Sequence, residues 1–208
     1  TKQTIMKKTF IVIIMAAMGL YAHAQNENDK PKSLTIGVKA ELNSDFMQEK
    51  GVQGVTDWNF GIGENAGITL KRTFTKHFAI QAEVLLQQNR SRLTYNSVEE
   101  KCSGFGIMVP FYFMPEVHCK NTIFYLGVGP WGCAGLSAKI GETNLYDKNN
   151  EYFTLSRWNL GAGMLLGVEF GCGLQINLNY RYAFFNSAMN DNGTLTEHQA
   201  SIGLGYRF

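Results

Sequence analysis

The chain has 208 residues, enough for one domain or two small ones, and it combines 22 glycines with only 17% charged residues. No run of about 18 apolar residues occurs, so a transmembrane helix is not expected. The formal charge is +2, but residues 1–24 hold three cations and no acids, so the other 16 basic and 17 acidic residues sum to −1. Such a near-neutral chain gives no support for nucleic-acid binding.

The first 24 residues have the order of an export signal. A basic pair, Lys7 and Lys8, precedes a run of about a dozen apolar residues, and a small-x-small motif ends at Ala24. We therefore predict a few upstream residues and a cleaved signal peptide at 1–24, a polar flexible leader at 25–32 and one folded domain at 33–208.

The remaining chain alternates between apolar and polar residues in eight stretches, which predicts strands with one apolar and one polar face. Long and short connections follow one another along the chain, which is typical of antiparallel hairpins. The long loops are predicted at 45–60, 91–101, 139–155 and 185–196, and one of the short turns is predicted at 115–121. The predicted strands are 33–44, 65–74, 78–90, 104–114, 122–138, 157–170, 174–184 and 197–208.

Strands of ten or more residues, tilted in a closed sheet, cross an apolar band of about 25 Å. A turn centred at Lys76 places Ile68 opposite Val84, and a turn centred at Cys172 places Ala162 opposite Tyr182, so that apolar faces match. We predict an all-β fold: an eight-stranded antiparallel up-and-down transmembrane β-barrel with a filled polar lumen.

Alternation alone does not say which face is outside, and a soluble lipocalin-like barrel has the same period with its apolar face inward. Export, the unequal connections, aromatic residues near strand ends and charges on the other face favour a lipid-facing apolar side. An eight-stranded barrel is just filled by side chains, so a hydrogen-bonded network is expected inside rather than a selectivity lining. The residues predicted to form this network are Lys39, Glu41, Lys71, Glu83, Glu169, Arg181 and Arg207.

An even number of strands places both termini on one side. For an exported chain, this predicts the outer membrane of a Gram-negative bacterium, with periplasmic termini and long loops facing outward.

Several short motifs support this interpretation. The stretches Ile-Met-Val-Pro-Phe-Tyr-Phe at 107–113 and Phe-Tyr-Leu-Gly-Val-Gly-Pro at 124–130, with Gly-Leu-Gly-Tyr-Arg-Phe at 203–208, resemble PorT-like outer-membrane β-barrel proteins, which are small OmpA/OmpX-like barrels. The resemblance implies insertion by the barrel-assembly machinery, with an assembly signal at Leu204, Tyr206 and Phe208. The family's named member serves a protein-secretion system.

No constellation for chemistry is recognisable. After the predicted cleavage the histidines are His77, His118 and His198, and the first two fall in short turns. His198 lies on the outer face of the last strand, where a lipid-modifying enzyme could act, but Ala200 stands where a nucleophile is needed on that face. No catalytic, metal-binding or cofactor-binding residue is predicted.

The four cysteines, Cys102, Cys119, Cys133 and Cys172, lie in a chain destined for an oxidising compartment, where disulfides are permitted. We expect free thiols. A Cys102–Cys133 bridge is the alternative, and it requires that Met114 pair with Asn121.

The predicted function is a non-enzymatic structural or interaction role through long extracellular loops that bind an external protein or glycan. The alternatives are a narrow channel or porin, a component of a protein-secretion system, and a lipid-modifying enzyme. Outer-membrane lipid and the assembly machinery are the expected partners, and a monomer is expected.

Overall fold

The computed structural model describes residues 33–50, 52, 55–149, 152–189 and 193–208, so the predicted signal peptide and leader lie outside the described residues. Among the described residues no helix is long and apolar enough to cross a membrane. The strands are β1 (Leu34–Lys50), β2 (Val55–Thr75), β3 (Phe78–Tyr95), β4 (Val98–Cys119), β5 (Thr122–Ile140), β6 (Thr143–Asn144), β7 (Thr154–Leu155), β8 (Trp158–Phe170), β9 (Leu174–Ala183), β10 (Ala188–Met189) and β11 (Thr194–Arg207).

The eight long strands form a closed antiparallel ring in the order β1-β2-β3-β4-β5-β8-β9-β11, and β11 pairs again with β1. Closure pairs both edges of every long strand and removes the exposed edges of an open sheet. The predicted registers are confirmed in two hairpins, because Ile68 lies opposite Val84 and Ala162 lies opposite Tyr182.

The alternation of the sequence becomes an outside and an inside. On β1, Leu42 is 63% exposed, while its neighbours Glu41 and Asn43 are each 3% exposed. The same contrast recurs around the ring, so the outer surface carries a continuous apolar belt. One rim of the belt carries Phe78, Phe170 and Phe208, and the other carries aromatic residues such as Trp158, Tyr182 and Phe184. So large an exposed apolar surface requires lipid rather than water.

Above the belt, strand pairing continues into segments that were predicted to be loops. The predicted loop 91–101 is instead the end of a hairpin, whose turn residues Asn96 and Ser97 have φ values of 46° and 67°. Two consecutive positive φ values suit the right-handed twist of paired strands. The predicted loop 45–60 likewise continues both β1 and β2. Backbone pairing persists in these segments although the apolar–polar alternation of the sequence has faded.

The predicted turn at 115–121 is also shorter than expected, and this changes which residues lie opposite the cysteines. β4 continues to Cys119, which lies opposite Thr122, so Cys102 lies opposite Ile140 and Cys133 opposite Met108. All four cysteines are free. The alternative of a Cys102–Cys133 bridge is therefore wrong, because the turn that fixes the register lies nearer the barrel end than the proline at 115 suggested.

The end of the barrel opposite the chain termini is covered by a small apolar cap, and we call this end the outer end. β6 pairs with β5, and β7 pairs with β10, so part of the predicted loop 139–155 is ordered. Leu93, Ile140, Leu145, Phe153 and Leu195 form the buried centre of this cap.

Candidate functional site

Glu41 is the centre of the lumen. Arg181 binds it through two contacts, from Nη1 to Oε2 at 3.0 Å and from Nη2 to Oε1 at 3.1 Å. Lys39 Nζ lies 2.7 Å from Oε1 of the same carboxylate and 3.0 Å from Glu83. These four residues are at most 4% exposed. Asn65, Asn179 and Ser201 add hydrogen bonds to Glu41 at 2.9, 2.9 and 3.2 Å. We call Lys39, Glu41, Glu83 and Arg181 the central cluster.

A second set of charges lies nearer the chain termini. Arg207 Nε lies 2.9 Å from Glu169, which also accepts a hydrogen bond from Gln175 at 2.8 Å. Lys71 lies 3.4 Å from Glu169 and forms a second ion pair with Glu116. We call Lys71, Glu116, Glu169 and Arg207 the lower cluster.

Gln81 joins the two clusters. Its Nε2 donates to Glu83 at 2.7 Å, and its Oε1 accepts from Arg207 at 3.1 Å. Each cluster contains two cations and two anions, so each is neutral in total. Buried ion pairs are tolerable only when they are matched and further hydrogen-bonded, as the Arg181–Glu41 and Arg207–Glu169 pairs are.

The structure brings all seven predicted network residues into the two clusters. Lys71 and Glu83 are diagonal neighbours in the β2–β3 register, but each forms its ion pairs with other residues. Glu116 was missed because it was assigned to a turn. Its position two residues beyond the inward-facing Met114 was the available signal.

Apolar side chains fill part of the lumen beside the charges and their polar neighbours. Tyr112, Met114, Tyr125 and Leu165 form one buried cluster beside the charges, and Trp131 belongs to a second one with Leu85 and Met108. Trp131 Nε1 donates to the carbonyl of Ala162 at 3.1 Å, which satisfies its only polar atom.

Between the central cluster and the apolar cap lies a cavity of about 110 Å³, which we call the outer chamber; its lining includes Asp45, Gln87, Cys133, Arg157 and Glu197. Gln199 connects it to the central cluster, because Gln199 accepts from Arg181 at 2.8 Å and donates to Asp45 at 2.7 Å. Asp45 was missed as an inward-facing residue because it was placed in a loop.

Burial shifts the pKa of two residues above the belt, Glu197 and Tyr146. Burial raises the pKa of Glu197, which accepts a hydrogen bond from Asn159 at 3.0 Å. Burial also raises the pKa of Tyr146 to about 12, so its phenol stays protonated at neutral pH. Tyr146 is positioned by Gly135, where an added Cβ would overlap its ring.

The remaining predicted residues lie apart from the lumen. Leu204, Tyr206 and Phe208 point outward and are 59%, 44% and 74% exposed. His198 Nδ1 lies 2.8 Å from the hydroxyl of Tyr180 on the outer face. Within the part of the chain that the structure describes, no group of three or more His, Cys, Asp or Glu residues could hold a metal ion.

Comparison with known proteins agrees with this architecture. A family model described as the outer membrane protein beta-barrel domain matches residues 10–208. OprG of Pseudomonas aeruginosa shares 12% identity over 85% of this chain and 97% of its own, with a TM-score of 0.54. Neisserial surface protein A shares 13% identity over 84% of this chain and 97% of its own, with a TM-score of 0.47. Ail of Yersinia pestis shares 13% identity over 84% of this chain and 97% of its own, with a TM-score of 0.42.

The likeness to OprG concerns the fold alone. A search of the curated proteins found no match. The family match covers nearly the whole chain, and the closed ring with its apolar belt is the structure that such a family requires. The chain belongs to the outer membrane protein beta-barrel domain family of the Gram-negative outer membrane.

Proposed function

We propose that this protein is a non-enzymatic barrel that conducts no solute and acts at its outer end by binding an external protein or glycan. The observation that carries the proposal is the pair of neutral, mutually hydrogen-bonded clusters across the lumen. A solute would have to separate ion pairs such as Arg181–Glu41, whose side chains are both 0% exposed. Separating buried pairs costs several kcal/mol per charge.

The outer end offers a surface for a partner. The β3–β4 hairpin continues beyond the belt to the turn at Asn96 and Ser97. Its sides carry exposed charges of both signs, including Arg92 and Glu99, which lie 3.0 Å apart. A rigid hairpin with mixed charge can recognise a partner at little ordering cost.

The proposal extends to membrane insertion. We propose that both termini lie in the periplasm and that the barrel-assembly machinery recognises Leu204, Tyr206 and Phe208 on β11. Closure of the ring by β1 and β11 leaves no free sheet edge for self-association, which supports a monomer. We also propose that the protein belongs to the PorT-like branch of the family, on the basis of the motifs at 107–113 and 124–130.

Planar-bilayer recording of the purified full chain tests the closed lumen. We expect no stable current steps, with a general porin inserted in parallel as the positive control. Reproducible steps from the pure protein would show a conducting lumen and overturn the proposal.

Binding to external proteins and glycans, measured on whole cells displaying the barrel, tests the outer end. Replacing both Arg92 and Glu99 by alanine is expected to weaken binding of a captured partner, whereas Lys120→Ala, in a turn at the opposite end, is the matched control and should leave it unchanged. If both variants bind the partner equally well, the hairpin is not the binding surface.

A further inference from the structure

Among the described residues of the lumen, the central and lower clusters are balanced in charge, whereas the outer chamber has one acid more than it has cations. The central and lower clusters each contain two cations and two anions. The chamber lining instead contains two acids, Asp45 and Glu197, and one cation, Arg157, so its formal charge is −1 when both acids are ionised. Burial and the neighbouring Glu197 raise the pKa of Asp45 to about 8, so the two carboxyl groups together retain a proton at neutral pH. The internal segments that the structure does not describe contain no lysine or arginine that could supply a further cation.

Arg157 is itself committed to another contact. Its guanidinium lies 4.8 Å from the centre of the Tyr146 ring, and its side chain is exposed. In the central cluster, Arg181 is connected to Asp45 only indirectly, because Arg181 donates to Gln199 and Gln199 donates to Asp45. Arg181 already binds Glu41 through two contacts.

Three side chains that line the chamber, those of Asp45, Gln87 and Asn89, have a buried polar atom without a hydrogen-bond partner in the described part of the chain, and Asp45 and Gln87 are almost fully buried. Asp45 is 5% exposed, and its Oδ2 has no hydrogen-bond partner among the described residues. Gln87 is also 5% exposed, and within the described chain its Nε2 donates to no acceptor, while its Oε1 accepts from Cys133 at 3.4 Å. A buried polar atom that lacks a partner costs about 1–3 kcal/mol, so a ligand that satisfies both atoms is favoured.

The size and walls of the chamber restrict the ligand. A cavity of about 110 Å³ is somewhat smaller than the engineered cavity of about 150 Å³ that binds benzene, so it accepts a molecule of about four to six heavy atoms. Met47, Ala138 and Leu155 supply apolar wall alongside the acids. Arg157 and Phe105 are exposed and also line the chamber, so it reaches the molecular surface beside them.

We propose that the outer chamber binds a small primary ammonium ion carrying an oxygen atom two carbons away. The ammonium group donates to Asp45 and Glu197 and takes the place of the proton that these carboxyl groups hold, which is released to water, while the oxygen accepts from Gln87. This chemistry occurs in free ethanolamine and in aminolipid headgroups. The inference goes beyond the proposed function, because the site lies beneath the cap and not on the partner-binding hairpin.

Titration of the refolded, isotope-labelled full chain in micelles, followed by nuclear magnetic resonance, tests the site. Ethanolammonium chloride is expected to cause saturable shifts of chamber amides and of the Gln87 side chain. Equal concentrations of potassium chloride and of tetramethylammonium chloride, which has no N–H donor, should not. Glycerophosphoethanolamine forms a second arm, and tighter binding of it than of ethanolammonium would assign the site to a headgroup.

Variants identify the ligating residues. Asp45→Asn and Glu197→Gln should each weaken ethanolammonium binding by at least about tenfold, because each removes a charge-assisted hydrogen bond. The matched control is Glu64→Gln, which removes the same charge from an exposed residue on the outer wall. Every variant is first checked for the folded gel mobility of an unboiled barrel, and the two chamber variants provide independent tests.

Shifts of the unaltered protein that are linear, or that potassium reproduces, would overturn the inference. So would unchanged affinity in both folded chamber variants. A conducting barrel would refute the closed lumen of the proposed function and leave the ammonium site untouched, so the two failures are distinguishable.

Discussion

Replacing Glu41 by alanine should destabilise the barrel more than any other single removal of a charge. Glu41 is 3% exposed and accepts from Arg181, Lys39 and three neutral side chains. Of the hydrogen bonds described above, Arg181 then keeps only the 2.8 Å bond to Gln199, while Lys39 keeps its 3.0 Å ion pair with Glu83. The variant therefore leaves one buried guanidinium without a counter-ion.

Removing one partner of a buried ion pair costs about 3–5 kcal/mol. The three orphaned neutral donors act in the same direction, at about 1 kcal/mol each where they find no other acceptor. We therefore expect the free energy of unfolding to fall by at least about 3 kcal/mol. By contrast, Glu64 lies 3.6 Å from Arg90, and both side chains are more than half exposed, so Glu64→Ala should cost at most about 1 kcal/mol.

Urea unfolding of the barrel in phospholipid vesicles, followed by tryptophan fluorescence, measures both values by linear extrapolation. The double variant Glu41→Leu/Arg181→Leu provides the sharper comparison, because it removes both charges and leaves Lys39 paired with Glu83. It should be more stable than Glu41→Ala, and its cost should be well below the sum of the two single changes. A loss under about 1 kcal/mol for Glu41→Ala, or strict additivity in the double variant, would refute the reasoning.

Three further outcomes are expected. Deleting Phe208 should lower the yield of inserted barrel more than a loop substitution does, as measured by gel mobility of unboiled membranes; normal yield would count against an assembly role. Gly167→Ala should cost about 1–3 kcal/mol in the same urea assay, because the new Cβ would overlap the buried Tyr125 ring. Burial raises the pKa of Cys102 to about 11, so about 0.1% of it is thiolate at pH 8, and the fraction rises about tenfold per pH unit below that pKa. Maleimide should therefore label exposed Cys119 far sooner, with mass spectrometry as the readout, and comparable rates would contradict the burial of Cys102.

The barrel was predictable wherever its two faces meet different surroundings. Within the belt, one face meets lipid and the other meets the lumen, so residues such as Leu42 and Glu41 alternate in a way that sequence reveals. Above the belt the stretch 91–101 is largely polar on both faces and shows no such contrast, although Leu93 packs into the cap. Strand pairing there depends on backbone hydrogen bonds, which the side-chain pattern does not report.

The choice of partners across the lumen was not predictable either. Lys71 and Glu83 are neighbours within one hairpin, yet Lys71 forms ion pairs with Glu116 and Glu169, which come from β4 and β8. Such pairs depend on the curvature that closes the ring and on side-chain length. The sequence can therefore show which residues point inward but not which of them meet.

The lumen is balanced in charge at the level of the belt and has one extra carboxyl group nearer its outer end. The two neutral clusters lie within the belt, where water is excluded and an unpaired charge would be most costly. Within the part of the lumen that the structure describes, the extra carboxyl group lies in the outer chamber, which reaches the surface beside Arg157. A cavity that combines this carboxyl group with an opening to the surface is what the proposed ammonium site requires, and it supports the proposal that recognition takes place at the outer end of the barrel.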